Sequence, residues 1–431
     1  MLKKLILENW KSFRYAELPI DPLTVLIGTN ASGKSNVVEA WEFLRRTVTG
    51  KEIKAALAGD STLPSIRGGA EWAARKPEPF FTLKVLVQGE DDSTDYLYSI
   101  TVSTVRRFEV LYESLECIKH NSNNIIKPGK FFLFNAEEIS PASVDNPGII
   151  VAFDRKERKK VYQDFRRITS ILSQINTFFL PQPTVANQEN LLSLPQETLE
   201  GVRLVSQTLQ DIFLLDSIPS KMRDYSQLSE NLESDASNIA GVLAALTDEQ
   251  KAEFESTVSA YVKHLPERDI QRVWAEPVGR FGTDAMLYCE EQWNRSETIE
   301  IDARGMSDGT LRFLAILTAL LTRPKGSQLV IEEVDNGLHP SRADLLLKML
   351  REIGEKRKID ILVTTHNPAL LDALDPEMIP FVVVAHRDSE TGESKLTLLE
   401  DIENLPKLMA SGSLGRITTK GAIERSLSDN K

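Results

Sequence analysis

The eight residues Gly28-Thr-Asn-Ala-Ser-Gly-Lys-Ser35 constrain this chain more than any other stretch. They follow a short β-branched apolar run, Leu23-Thr-Val-Leu-Ile27. They precede Val37, Val38, Trp41, Phe43, Leu44 and Val48, which recur at roughly helical spacing. A strand, a glycine-bearing loop and a helix in that order make a phosphate loop. The glycines let successive backbone N–H groups turn inward around an anion, and the helix adds its positive N-terminal end. Lys34 then offers a charge to the terminal phosphates of a nucleotide, and the Ser35 hydroxyl completes the shell of a Mg²⁺ ion.

Three further stretches acquire meaning beside that loop. Gln328-Leu-Val-Ile-Glu332-Glu333 is an apolar strand ending in paired acids. Alone, acids at a strand end mark a solvent edge. Downstream of a phosphate loop, the first acid stands near the metal's water shell, and the second can orient or deprotonate an attacking water. Gly305-Met-Ser307-Asp308-Gly309-Thr310 precedes the helical pattern Leu311-Arg-Phe-Leu-Ala-Ile-Leu. It is a good helix-capping turn, and the same features aim a hydroxyl and amides at an anion. In Ile361-Leu-Val-Thr-Thr-His366-Asn-Pro368 a histidine sits just past an apolar strand.

Organisation follows from periodicity. Phe81–Val87, Tyr96–Val102 and Val110–Ile118 alternate with period two and predict an antiparallel meander. From about 155 to 265 the pattern reads as helical, broken by Pro181, Pro183, Pro195 and Pro219, and no long heptad run is present. Beyond 305, helix, strand, helix and strand alternate as in a parallel α/β sheet, and a hairpin is expected around Thr391-Gly392. The expected domains are 1–150, an N-terminal lobe with the loop and antiparallel strands; 151–300, a mainly helical insertion; 301–420, a C-terminal lobe; and 421–431, a loose tail. With 41% hydrophobic residues the 431-residue chain can build ample core. Its charge of −12 argues against a dedicated nucleic-acid coat protein. Cys117 and Cys289 provide no disulfide framework. No apolar run approaches the ~18 residues of a membrane span, and the amino terminus lacks a signal peptide's apolar stretch. A cytoplasmic protein, off the membrane, is expected.

The order of phosphate loop, Ser-Asp-Gly turn, strand-Glu-Glu and strand-His resembles the ABC-type ATPases, on the branch holding SMC, RecF and OLD proteins. It is most similar to the small RecF-like AAA-21/AAA-15 ATPases. The residues carrying the resemblance are Asn9-Trp-Lys11-Ser12-Phe13, Gly28 to Asn36 and Met306-Ser-Asp-Gly-Thr-Leu-Arg312. Val330-Ile-Glu-Glu-Val-Asp-Asn-Gly-Leu-His339-Pro340, Thr364-Thr-His-Asn-Pro368 and the Ser411-Gly-Ser-Leu-Gly415 tail complete the match. The resemblance implies an α/β fold: an ATPase head with a parallel phosphate-loop core, an antiparallel β lobe and an inserted helical subdomain. It implies ATP and Mg²⁺ as ligands. Gly28, Ser32, Gly33, Lys34, Ser35 and Asn36 would bind the nucleotide, with Asn30 and Lys11 as lesser candidates for phosphate contacts. Ser35 and Glu332 would hold the metal, Glu333 would polarise the water, and His366 would contact the γ-phosphate. Ser307 and Gly309 would reach nucleotide held by a second subunit, so a homodimer or higher homo-oligomer is expected on ATP binding.

Three departures from the family pattern stand out. Glu332 replaces the Asp of many relatives, His339 replaces the usual D-loop Asp, and no Q-loop glutamine can be placed. Gln174 is a candidate that reads better as a solvent-facing helical residue. Residues 154–167 hold seven bases against three acids. They could touch DNA phosphates or an acidic partner, and read first as a solvated helix face. The leading functional reading is an ATP-driven switch acting on nucleic acid, or with a separate nuclease or effector, in DNA repair or antiviral defence. An ATP-gated scaffold that sequesters an effector is the alternative, and an ABC transporter subunit ranks below both.

Overall fold

The computed structural model describes residues 1–120, 129–136, 148–154, 160–178, 194–262, 270–292 and 297–429. The chain opens with β1 (Leu2–Trp10), β2 (Phe13–Pro19) and β3 (Leu23–Ile27), then α1 (Lys34–Val48) and α2 (Ile53–Ala58). The strands β4 (Phe80–Gln88), β5 (Thr94–Ser103), β6 (Glu109–Lys119), β7 (Gly129–Ala136), β8 (Gly148–Asp154) and β9 (Lys160–Arg166) follow. Next come α3 (Ile171–Phe178), α4 (Gln196–Gln210), β10 (Ile212–Leu215), β11 (Ser226–Gln227), α5 (Ile239–Ala245) and α6 (Asp248–Val262). Three strands, β12 (Ile270–Val278), β13 (Asp284–Gln292) and β14 (Thr298–Asp302), precede α7 (Asp308–Thr322) and β15 (Gln328–Ile331). The last part holds α8 (Ala343–Arg357), β16 (Asp360–Thr365), α9 (Pro368–Asp372), β17 (Val382–Arg387) and β18 (Ser394–Leu398). It ends with α10 (Leu405–Ser411), α11 (Leu414–Thr419) and α12 (Ala422–Asp429).

These elements form two compact units. The first comprises Met1–Ile20, Ala31–Ile212 and Ala385–Leu396; the second comprises Asp21–Asn30, Phe213–Val384 and Thr397–Lys431.

In the first unit β2, β1, β4, β5, β6, β7, β8 and β9 are successive antiparallel neighbours. The expected meander of β4, β5 and β6 is its middle. Trp10, Phe43 and Phe81 are fully buried and meet at ring-centroid distances of 4.8–5.9 Å, tying α1 to the sheet by aromatic packing. The indole of Trp10 also donates to the Asn36 carbonyl at 2.7 Å.

Where residues 154–167 are described, the expected helix is not what forms. Residues 155–159 lie outside the described residues, and β8 and β9 flank them as an antiparallel pair, with Ile149 opposite Phe165 and Val151 opposite Gln163. β-Branched and aromatic residues dominate both runs, and such side chains favour a pleated, half-buried surface over a helix. Arg167, counted in the basic cluster, is buried and donates to the carbonyls of Gly148 and Val110. Within 151–300 the helices α3 to α6 occupy the middle, while β8, β9 and β12 to β14 occupy the ends.

Glu113 on β6 is fully buried and caps α3. Its carboxylate accepts from the amides of Ile171 (2.7 Å) and Leu172 (2.8 Å), from Tyr98 Oη (2.9 Å) and from Ser170 Oγ (3.0 Å). Burial pushes this carboxyl up to about 7 against the pull of those donors. A folded-state value above the unfolded one means that folding takes up a proton. Stability from this group is therefore full below about pH 4.5 and is lost as pH rises through about 7. The wild-type free energy of unfolding should fall across that window, by up to ~3 kcal/mol, and Glu113→Gln should flatten the fall. Parallel pH profiles for the two proteins would exclude the assignment.

In the second unit β15, β16, β3 and β17 are parallel neighbours, with β10 beside β15. Nearly every residue of β3, β15, β16 and β17 is buried, as expected for strands covered on both faces. Helix α8 buries Leu346, Met349, Leu350 and Ile353, spaced three and four apart. A smaller antiparallel sheet of β11, β12, β13 and β14 packs its inner residues Val273, Leu287 and Cys289 into the same core. The expected loose tail is mostly helical, as α12, because Ile423 and Leu427 stand four apart and pack on that core. Among the described residues no helix is long and apolar enough to cross a membrane.

Candidate functional site

Parallel strands deliver their carboxyl ends to one edge, and in open α/β sheets ligands bind there. In the second unit, Ile27 of β3 is in register with Thr365 of β16, and Val363 of β16 with Ile331 of β15. The residues that follow these strands are Gly28, Thr29 and Asn30, then His366, then Glu332 and Glu333. Three stretches far apart in sequence therefore leave the sheet side by side.

Glu333 is held firmly. Its amide donates to Thr364 Oγ1 at 2.8 Å, and the next amide, of Val334, donates to the Thr364 carbonyl at 3.1 Å. Its φ is +49°, a left-handed conformation that costs a non-glycine residue about 1–3 kcal/mol. The side chain remains half exposed, 3.9 Å from His366 Nδ1 and 3.4 Å from Asn336 Nδ2. Asn367 caps α9 by accepting from the Ala369 amide, which fixes the turn just after His366. The Ser-Leu-Gly tail supports the same turn, because the Gly415 amide donates to Asp372 at the end of α9.

The Ser-Asp-Gly turn lines a separate cleft of the second unit. Ser307 caps α7 by accepting from the Thr310 amide at 3.1 Å. Ser307, Gly309, Gly337, His339 and Arg342 line an opening of about 610 Å³, to which Glu332, Glu333 and His366 do not contribute. A Cβ on Gly309 would lie 2.7 Å from the Gly337 carbonyl oxygen, so the two turns can only approach this closely with glycine there. His339, in the D-loop position, accepts from the Ser341 amide and meets Ser341 Oγ at 2.7 Å. Arg223 braces the whole turn and is a residue that sequence reading did not find. Its guanidinium donates to the carbonyls of Met306 (2.6 Å) and Ala303 (2.9 Å) and pairs with Asp308.

The phosphate loop passes from the second unit into the first after Asn30. In the first unit Gly33 has φ +117° and precedes α1, with its carbonyl accepting from Val37. A Cβ there would stand 2.8 Å from the Phe13 ring and 2.9 Å from Ser394 Oγ. Lys34 is buried. Ser32 Oγ is buried and finds no hydrogen-bond partner among the described residues, and such an orphan fits a loop built for phosphate oxygens. Two further candidates make contacts within the first unit. Asn36 Nδ2 donates to Ser12 Oγ at 2.7 Å. Lys11 Nζ donates to Glu39 and to the Arg67 carbonyl, and burial lowers its pKa. Gln174 is buried rather than solvent-facing; its amide brackets the backbone of Arg166 at 2.9–3.0 Å.

The family model described as "AAA domain, putative AbiEii toxin, Type IV TA system" matches residues 150–372, and the chain belongs to that family. Among solved structures, the SMC head bound to the C-winged helix domain of ScpA is 12% identical with a TM-score of 0.49. The match covers 92% of this chain and 96% of that one. The SMC head domain from Thermotoga maritima is 14% identical, covering 92% and 98% at a TM-score of 0.42. The Smc head with an extended coiled coil bound to the C-terminal domain of ScpA, derived from Pyrococcus furiosus, is 11% identical, covering 95% and 99% at 0.48. No curated protein matches the sequence.

Proposed function

We propose that this protein binds and hydrolyses ATP with Mg²⁺, and that two copies close head to head around two ATP molecules. The observation that carries this reading is the convergence of the loop start, His366 and the Glu332–Glu333 pair at neighbouring strand ends. Lys34 and the loop amides hold the terminal phosphates, and Ser35 with Glu332 holds the metal. Bound there, Mg²⁺ supplies charge to the phosphate oxygens. Among the described residues no three of His, Cys, Asp and Glu gather to form a metal site. Metal binding therefore rests on these two groups and the nucleotide together. Glu333 accepts a proton from the attacking water, and His366 contacts the γ-phosphate.

Ser307 and Gly309 line a cleft without the acid pair, which supports their use on nucleotide held by the other copy. The protein then acts as a cytoplasmic switch on nucleic acid, or with a separate nuclease or effector, in DNA repair or antiviral defence. The family description, which names a toxin of a type IV system, favours the defence setting. It also keeps an ATP-gated scaffold for an effector as the second reading.

Native mass spectrometry of Glu333→Gln protein in ATP and Mg²⁺ tests the pairing. A dimer carrying two ATP is expected. Adding Arg223→Ala should return it to a monomer with one ATP, because the Ser307 turn loses its brace. A monomer from Glu333→Gln alone would remove the cross-subunit role of Ser307. Protein recovered from its own cells would bring the partner with it.

A further inference from the structure

The first unit holds a cleft beside the phosphate loop, and one exposed aromatic residue in it belongs to none of the motifs. Trp72, in a short 3-10 turn, is 63% exposed. It lines an opening of about 450 Å³ together with Ser12, Asn36, Arg75, Lys76 and Arg387. That volume is within the ~300–1,000 Å³ of small-molecule sites. The cleft adjoins the phosphate loop once along the chain and once by a hydrogen bond. Asn36 follows Ser35 directly in the chain, and Arg387 Nε donates to the Ala31 carbonyl at 2.9 Å. Lys76 Nζ lies 5.9 Å from the Trp72 ring centroid, and Arg75 is paired with Glu393. A large aromatic face left open between basic side chains suits a flat, electron-rich ring carried by an anion.

We propose that Trp72 is the stacking platform for the base of the nucleotide whose phosphates the loop holds, with Arg387 positioning the loop behind it. The inference rests on the ATP-binding reading above and adds the residue that grips the base. A single mononucleotide is the occupant that fits, since Trp72 is the one aromatic residue lining the cleft among the described residues, and single-strand binders align several such rings for successive bases. Stacking reads the π-face rather than the base edge, so ATP and GTP should depend on Trp72 alike.

The test compares ATP with inorganic tripolyphosphate, which has phosphates and no base, by calorimetry on the full chain. Trp72→Ala is expected to raise the Kd for ATP about tenfold or more, the order of one lost base–aromatic stack. The Kd for tripolyphosphate should stay unchanged, and Trp72→Phe should keep ATP binding within a few fold. An unchanged Kd for ATP in Trp72→Ala overturns the proposal while the phosphate loop stands. Equal weakening of both ligands overturns it too, because the residue then acts on the loop and not on the base. Wild-type protein that binds neither ligand removes the ATP reading and this inference with it.

Discussion

Glu333→Gln is expected to lower ATP turnover by about 10²–10⁴-fold, the usual contribution of a positioned general base, with nucleotide affinity little changed. The substitution keeps the size of the side chain and its bond from Asn336, and removes only the ability to take a proton. The backbone favours this assignment. Two hydrogen bonds to Thr364 hold residues 333 and 334 in place, Glu333 keeps a left-handed φ, and its carboxylate lies 3.9 Å from His366 Nδ1. Strain of that kind persists only where surrounding contacts impose it, and it clusters at functional positions. Phosphate release measured beside equilibrium ATP binding separates chemistry from affinity. Turnover equal to wild type would take the base role away from Glu333. Weakened binding with unchanged kcat would make it a ligand-holding group instead.

What the sequence revealed of this site, and what it hid, follows from the range of each interaction. The neighbouring placement of Gly28, Glu332–Glu333 and His366 was legible because each motif is local and a parallel sheet gathers strand ends predictably, and Ser307–Thr310 was legible as a helix cap. The meander was legible because period two survives in β4, β5 and β6. Arg223 was not, since its partners lie 80 to 85 residues away and nothing near it is periodic. The pairing of Lys11, a phosphate candidate, with Glu39 was hidden because Glu39 lies 28 residues downstream. Gln174 read as exposed because the turn it brackets exists only once β9 precedes α3. The bases near 160 suggested a helix face, where the alternation of Val161, Gln163 and Phe165 carried the stronger signal. In each miss a tertiary contact decided what local composition left open.

Lys34→Ala is expected to raise the Kd for ATP at least 100-fold, and its consequence is best read as stability. A ligand at 100 times its Kd stabilises the folded state by about 2.7 kcal/mol. At the same concentration, a variant bound 100-fold more weakly gains roughly 0.4 kcal/mol. Nearly the whole ATP-dependent rise in Tm should therefore vanish. The apo Tm should move far less, because residue 34 begins α1, where alanine is a good helix former. This contrast between bound and apo melting identifies a lysine kept for its ligand. If the apo Tm falls by as much as the ligand shift does, Lys34 serves the fold. If the ATP-dependent rise survives the substitution, the phosphates are held elsewhere, and the reading of Gly28–Ser35 fails at its central residue.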